Sequence, residues 1–141
     1  MAQVKALIGN IKGQPGEKGA DGKDGSENQI YSTTEQAIGT WIDGKTIYRK
    51  VVSCGTLPNK TDKTVAHGIS NFNHIIQVSG FCKDADKSKS YPLPFPFDSG
   101  SDGVGSIGIW VDKTNITISC LGTYYPNVIE TYVILEYTKT T

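Results

Sequence analysis

The chain has 141 residues, room for one ordinary domain and a short appendage. Fourteen Lys and Arg balance fourteen Asp and Glu, four of each sign in residues 1–29 and ten of each in 30–141. Neither part carries the basic surplus that nucleic-acid binding needs, and no apolar run approaches the length of a membrane span. Met1–Lys12 has no continuous apolar stretch of signal-peptide length, so the expectation is assembly in a cytosol without membrane insertion.

In chain order, the first periodic feature is Val4, Leu7, Ile8 and Ile11, spaced as one face of a helix. Residues 1–12 are expected to be an attachment or trimerisation segment, either a short three-stranded coil or a stretch that orders on a larger particle. With Gly9 inside it, so short a segment is marginal as an isolated helix. Glycine then recurs at every third position, at Gly13, Gly16, Gly19, Gly22 and Gly25. Only a hydrogen atom fits where three polyproline-II chains meet, and a flexible linker has no reason to keep period three. Residues 13–27 therefore predict a collagen-like triple-helical stalk, and with it a homotrimer. Five triplets span roughly 45 Å at about 3.1 Å per residue. With Pro15 as its sole proline, the stalk cannot hold three chains unaided. Glu17, Lys18, Asp21, Lys23 and Asp24 can pair between staggered chains, each pair contributing little.

Residues 28–141 read as an all-β head domain. Ile38–Ile42 and Lys45–Val52 flank Asp43-Gly44, the signal for a two-residue type I′ hairpin, with Trp41 and Tyr48 assigned to the hairpin core. His74–Phe81 is β-branched and apolar. Residues 91–97 carry proline at 92, 94 and 96, which predicts an edge strand or strap that cannot donate to a ladder on that side. Ser106–Asp112 and Asn115–Leu121 flank a second turn. Tyr132–Thr138 alternates, with Val133, Leu135 and Tyr137 on one face and Tyr132, Ile134, Glu136 and Thr138 on the other. Short strands at roughly ten-residue spacing indicate an antiparallel sandwich or barrel, jelly-roll-like in type.

Constellations for chemistry are thin. Gly103–Gly108 matches G-x-G-x-x-G but precedes a strand rather than opening a helix, which removes the dinucleotide reading. Asp98–Gly103 has the outline of a calcium loop without its ligand spacing and reads as a polar turn. His67 and His74 lack a metal-ligand partner at close spacing, although a strand-borne meeting with Cys82 remains open. Cys54, Cys82 and Cys120 are odd in number and widely spaced, as expected of small buried hydrophobes. Asp43 and Asp112, close to Trp41 and Trp110, sit at hairpin turns that explain them without catalysis. No cofactor and no metal are expected, and the expected function is not enzymatic. A binding surface remains. The loops 98–105 and 122–129, with Trp110, Tyr124, Tyr125, Asp98 and Asp102, are the candidate contact region, since exposed rings suit the apolar faces of sugars.

Three blocks carry a likeness to known proteins: Ile38-Gly-Thr-Trp-Ile-Asp-Gly-Lys-Thr-Ile-Tyr-Arg-Lys50, Thr64-Val-Ala-His-Gly68 and Val133-Ile-Leu-Glu-Tyr-Thr-Lys139. They resemble the head domains of bacteriophage fibre proteins, and Ile8–Gly13 leading into collagen-like triplets resembles the stem of such fibres. The resemblance implies a virion protein assembled in a bacterial host cytoplasm, trimeric, held to other virion proteins of a tail baseplate or capsid through its N-terminus. Its β-rich tip would adsorb to host-surface saccharide. Two alternatives stay open at this stage. One is a capsid-attached head fibre with a mainly structural role; the other is a cellular collagen-tailed recognition protein with a C1q-like head.

Overall fold

The computed structural model describes residues 30–57, 60–86, 88–95, 106–120 and 128–141. The segment 1–12, the Gly13–Gly25 triplets, and Asp98, Asp102, Tyr124 and Tyr125 lie outside the described residues. Among those described, every regular element is a strand: β1 (Gln36–Thr40), β2 (Thr46–Ser53), β3 (Asp62–Ala66), β4 (Phe72–Asp84), β5 (Ser90–Leu93), β6 (Ile107–Val111), β7 (Asn115–Cys120) and β8 (Val128–Lys139). They form two wholly antiparallel sheets, one in the order β1-β2-β8-β4-β5 and one in the order β3-β7-β6.

Strand β8 is the axis of the larger sheet, paired along most of its length with both β2 and β4. Its alternation decides the core: Val133, Leu135 and Tyr137 are fully buried and meet Val52, Cys82, Ile107, Ile116, Ile118 and Cys120 in one cluster drawn from both sheets. A single core between two sheets is what two amphipathic faces produce when each must hide its apolar side. The expected segment Tyr132–Thr138 is thus the middle of a longer strand. Strand β4 likewise exceeds its expected bounds, reaching from Phe72 to Asp84. Register shifts between Phe72 and His74 and between Ile75 and Gln77 explain the broken alternation of its sequence. An extra residue at each shift lets Ile75 and Val78 both pack on the core, three positions apart.

Strand β3 was not expected. Lys63 and Val65 lie opposite Ile118 and Ile116 on the core side, so one of its two inward positions is charged. Lys63 reaches out along the sheet edge to donate to the Thr56 carbonyl at 2.6 Å, which keeps its ammonium solvated while its stem packs. The proline-bearing segment behaves as its chemistry requires. Strand β5 is the edge of the larger sheet, and beyond it Phe95 exchanges backbone hydrogen bonds with Ile107 of β6, passing the chain from one sheet to the other.

The first hairpin departs from the expected type I′ turn. The Gly44 amide donates to the Trp41 carbonyl at 2.9 Å and the Trp41 amide to the Lys45 carbonyl at 2.8 Å, while only Gly44, at φ +86°, enters the left-handed region. This is a three-residue loop, a type I turn closed by a glycine bulge. The bulge places Trp41 beyond the end of β1 and outside the core, edge-on to His74 with ring centroids 6.4 Å apart. Tyr48 does join the packed layer, stacked on Tyr137 at 6.0 Å.

Candidate functional site

The outward side of the β3-β7-β6 sheet carries the one candidate contact residue that the described residues include, Trp110. The β6–β7 hairpin presents it. Ile107, Ile109 and Val111 turn to the core, so Gly108 and Trp110 face away from it. The turn itself is held by Asp112, whose Oδ1 accepts from the amides of Thr114 and Asn115, both at 2.8 Å, and from the Thr114 hydroxyl. Those backbone N–H groups hold the Asp112 carboxyl below the usual carboxylate range. Asp43 has the same task in the first hairpin, where the Lys45 amide and then its ammonium lower its pKa. Both aspartates are thus spent on turns, as their sequence context suggested.

Trp110 is 50% exposed, against a general tendency of so large a ring to be covered. It lies directly across from Thr117 on β7, and Thr64 of β3 lies across from Thr117 on the other side. Their hydroxyls stand 3.5 Å apart, and Thr117, flanked by these two neighbours, is buried although its strand face is outward. One rung along, Gly108, Ser119 and Asp62 form a parallel row. Among the described residues a side chain added at Gly108 would meet nothing nearer than the Ser119 Cβ at 3.9 Å, which leaves room beside the indole. Among the described residues the patch is therefore an aromatic plane bordered by hydroxyls and a carboxylate. Such a surface can stack an apolar ligand face and hydrogen-bond the ligand's hydroxyl groups.

The other sequence candidates do not converge. His67 is buried in the β3–β4 connection. Its Nδ1 accepts from the Ile69 amide at 3.1 Å, which leaves Nε2 protonated to donate to the Asp112 carbonyl at 3.2 Å. His74 is exposed on the outward side of β4 beside Asn73 and Thr138, whereas Cys82 faces the core. Among the described residues no three His, Cys, Asp or Glu side chains are grouped as metal ligands. The three cysteines are free and buried, and burial pushes the Cys82 thiol up to about 12 and those of Cys54 and Cys120 up to about 11.

Two features escaped sequence reasoning. Thr64, Thr117, Ser119 and Asp62 become one surface only through the β3–β7 pairing, and nothing local in 62–66 announced that strand. The second is an apolar groove of about 350 Å³ on the outward side of the larger sheet, lined by Tyr31, Ser32, Thr33, Val51, Phe81, Tyr132 and Ile134. No family model, curated protein or solved structure matches the chain.

Proposed function

We propose that the chain is a non-enzymatic fibre protein of a bacteriophage virion, a homotrimer on a collagen-like stalk whose β head adsorbs to host-surface saccharide. The observation that carries the reading is the strict third-position glycine from Gly13 to Gly25, ahead of an all-β unit with an exposed indole set among hydroxyls. The resemblance of the 38–50, 64–68 and 133–139 blocks to fibre heads supports it. So does the pairing of strands distant in the chain, β2 with β8 and β3 with β7 in separate antiparallel sheets, which a jelly-roll-like head would also have. In this reading residues 1–12 dock on other virion proteins. Three heads on one stalk turn a weak single-site grip into a strong one, because the second and third contacts form at high local concentration.

The test is biolayer interferometry of the full chain on immobilised wall polysaccharide prepared from a panel of Gram-positive and enteric bacteria. Wild-type protein should bind at least one preparation. Trp110→Ala should weaken that binding at least tenfold, about 1.4 kcal/mol, without lowering the melting temperature by more than about 2 °C. Absence of binding to every preparation overturns adsorption to saccharide. Binding unchanged by Trp110→Ala removes the contact from this face.

A further inference from the structure

We infer that the apolar groove on the outward side of the β1-β2-β8-β4-β5 sheet is the interface between copies of this chain, its occupant being the same face of a second head. The inference rests on the three-chain reading above and assigns the surface that reading needs.

The two outward faces of the sandwich differ in kind. An antiparallel sheet with one face in water normally carries polar residues there. The smaller sheet obeys apart from Trp110, with Asp62, Thr64, Thr117 and Ser119 outward. The larger sheet does not. Its cross-strand rungs read Val51–Ile134–Ser79 and Ser53–Tyr132–Phe81, so two aliphatic and two aromatic side chains share one patch. The Phe81 and Tyr132 rings stand 5.5 Å apart, and Tyr31 closes the patch from the segment preceding β1, where the Val51 amide donates to the Ser32 carbonyl at 2.8 Å.

Ion pairs border this apolar centre on both sides. On one, Arg49 holds Glu136 at 2.6 Å with the Tyr31 ring 4.6 Å above its guanidinium; on the other, Lys83 lies 4.0 Å from Glu130. An apolar middle with a polar border is the anatomy of a protein–protein interface. The charges of each pair cancel, so the face does not repel its own copy.

What selects a second copy as occupant is the length of chain between the stalk and the groove. From Gly25 to Tyr31 is six residues, at most about 20 Å fully extended. Three chains joined at Gly25 therefore keep their Tyr31 rings, and the grooves those rings line, within that reach of one axis. At such a tether the local concentration of a second groove is in the millimolar range, which no free partner matches. Five triplets are too few to hold three chains alone, so a flank of the stalk has to supply the remaining contact, and the head is the larger of its two flanks. With this face turned to the axis, the opposite face and its Trp110 point outward in all three copies.

Hydroxyl-radical footprinting of the full chain, read by mass spectrometry alongside sedimentation velocity, tests this without altering the fold. Tyr31, Phe81 and Tyr132 should be oxidised at least fivefold more slowly in the three-chain species than in the same protein diluted to single chains, while Trp110 is oxidised equally in both. Ile134→Lys, with its β-type circular dichroism retained, should sediment as single chains at micromolar concentration. Phe81→Ser is the milder second variant should Ile134→Lys lose that spectrum. A wild type that sediments only as one chain overturns the three-chain reading itself. A three-chain species whose groove rings are oxidised as fast as in single chains overturns the interface and leaves that reading standing. Protection appearing only when a different protein is added overturns the second copy as occupant.

Discussion

Strand β4 crosses β8 at Gly80 so closely that a methyl group there has nowhere to go. An added Cβ would lie 2.2 Å from the Tyr132 carbonyl oxygen and 3.1 Å from the Val133 Cα. An ordinary carbon–oxygen contact is about 3.3 Å, so the two strands must part by roughly 1 Å. Both offending atoms are backbone, and no rotamer change relieves them. A separation of that size takes the adjoining N–H···O distances from about 2.9 Å to near 3.9 Å, beyond hydrogen-bond range. Two broken ladder bonds at about 1 kcal/mol each, plus overpacking of about 1–3 kcal/mol, give about 3–5 kcal/mol. Reduced freedom of the unfolded chain offsets up to about 1 kcal/mol of this. Gly80→Ala is thus expected to destabilise by about 3 kcal/mol, a melting-temperature drop of about 12 °C for a unit of this size, measured by differential scanning calorimetry. The matched control is Gly39→Ala on β1, where an added Cβ meets nothing within 4 Å and the melting temperature should stay within about 2 °C. A drop below about 3 °C for Gly80→Ala would show that the central strands yield without losing their hydrogen bonds, and the reasoning would be refuted.

Three further expectations concern polar and thiol groups. Thr131 is fully buried with its hydroxyl unpaired among the described residues, so Thr131→Val, of the same shape, should raise stability by about 1 kcal/mol in urea titration; a loss of that size would mean the hydroxyl has a partner. Glu35 accepts from both the Tyr137 hydroxyl and the Lys139 ammonium. Burial opposes its charge, but these two bonds and the Lys139 charge outweigh that and leave its pKa below the usual 4.5. A carboxylate lowered in the folded state stabilises above its unfolded pKa, and the contribution is lost as pH falls through the lower, folded value. Glu35→Gln should therefore cost about 1–2 kcal/mol at pH 7, and the gap to wild type should narrow as pH falls below 4.5 through the lower, folded value. A gap independent of pH would mean that packing, not charge, is what the substitution removes. Cys54, Cys82 and Cys120, buried with thiols raised to about 11, 12 and 11, should react with iodoacetamide at pH 8 only after unfolding; fast labelling of native protein would show the core opening readily.

Much of this protein is written locally. The glycine period at 13–25 is chemistry that any reader of the chain can recover, since it needs no partner residue to interpret. The alternation of Val133, Leu135 and Tyr137, the Asp112–Asn115 turn and the proline-marked edge strand also follow from side-chain periodicity and backbone sterics alone. Other features depend on what lies across the sheet. Strand β3, with Lys63 at an inward position, becomes a strand only because β7 offers it an edge. The shifts in β4 that bring Ile75 and Val78 to one face are set by the register with β8, and the glycine bulge at Gly44 rather than a two-residue turn moves Trp41 out of the core. Ile134 shares its strand face with Glu136, so its sequence does not say that it sits beside Val51 and Phe81; Thr64, Thr117 and Ser119 likewise meet around Trp110 only when two distant segments pair. Periodicity reports which face of one strand is apolar, whereas a surface is assembled from several strands, and register between strands is a property of the folded chain alone.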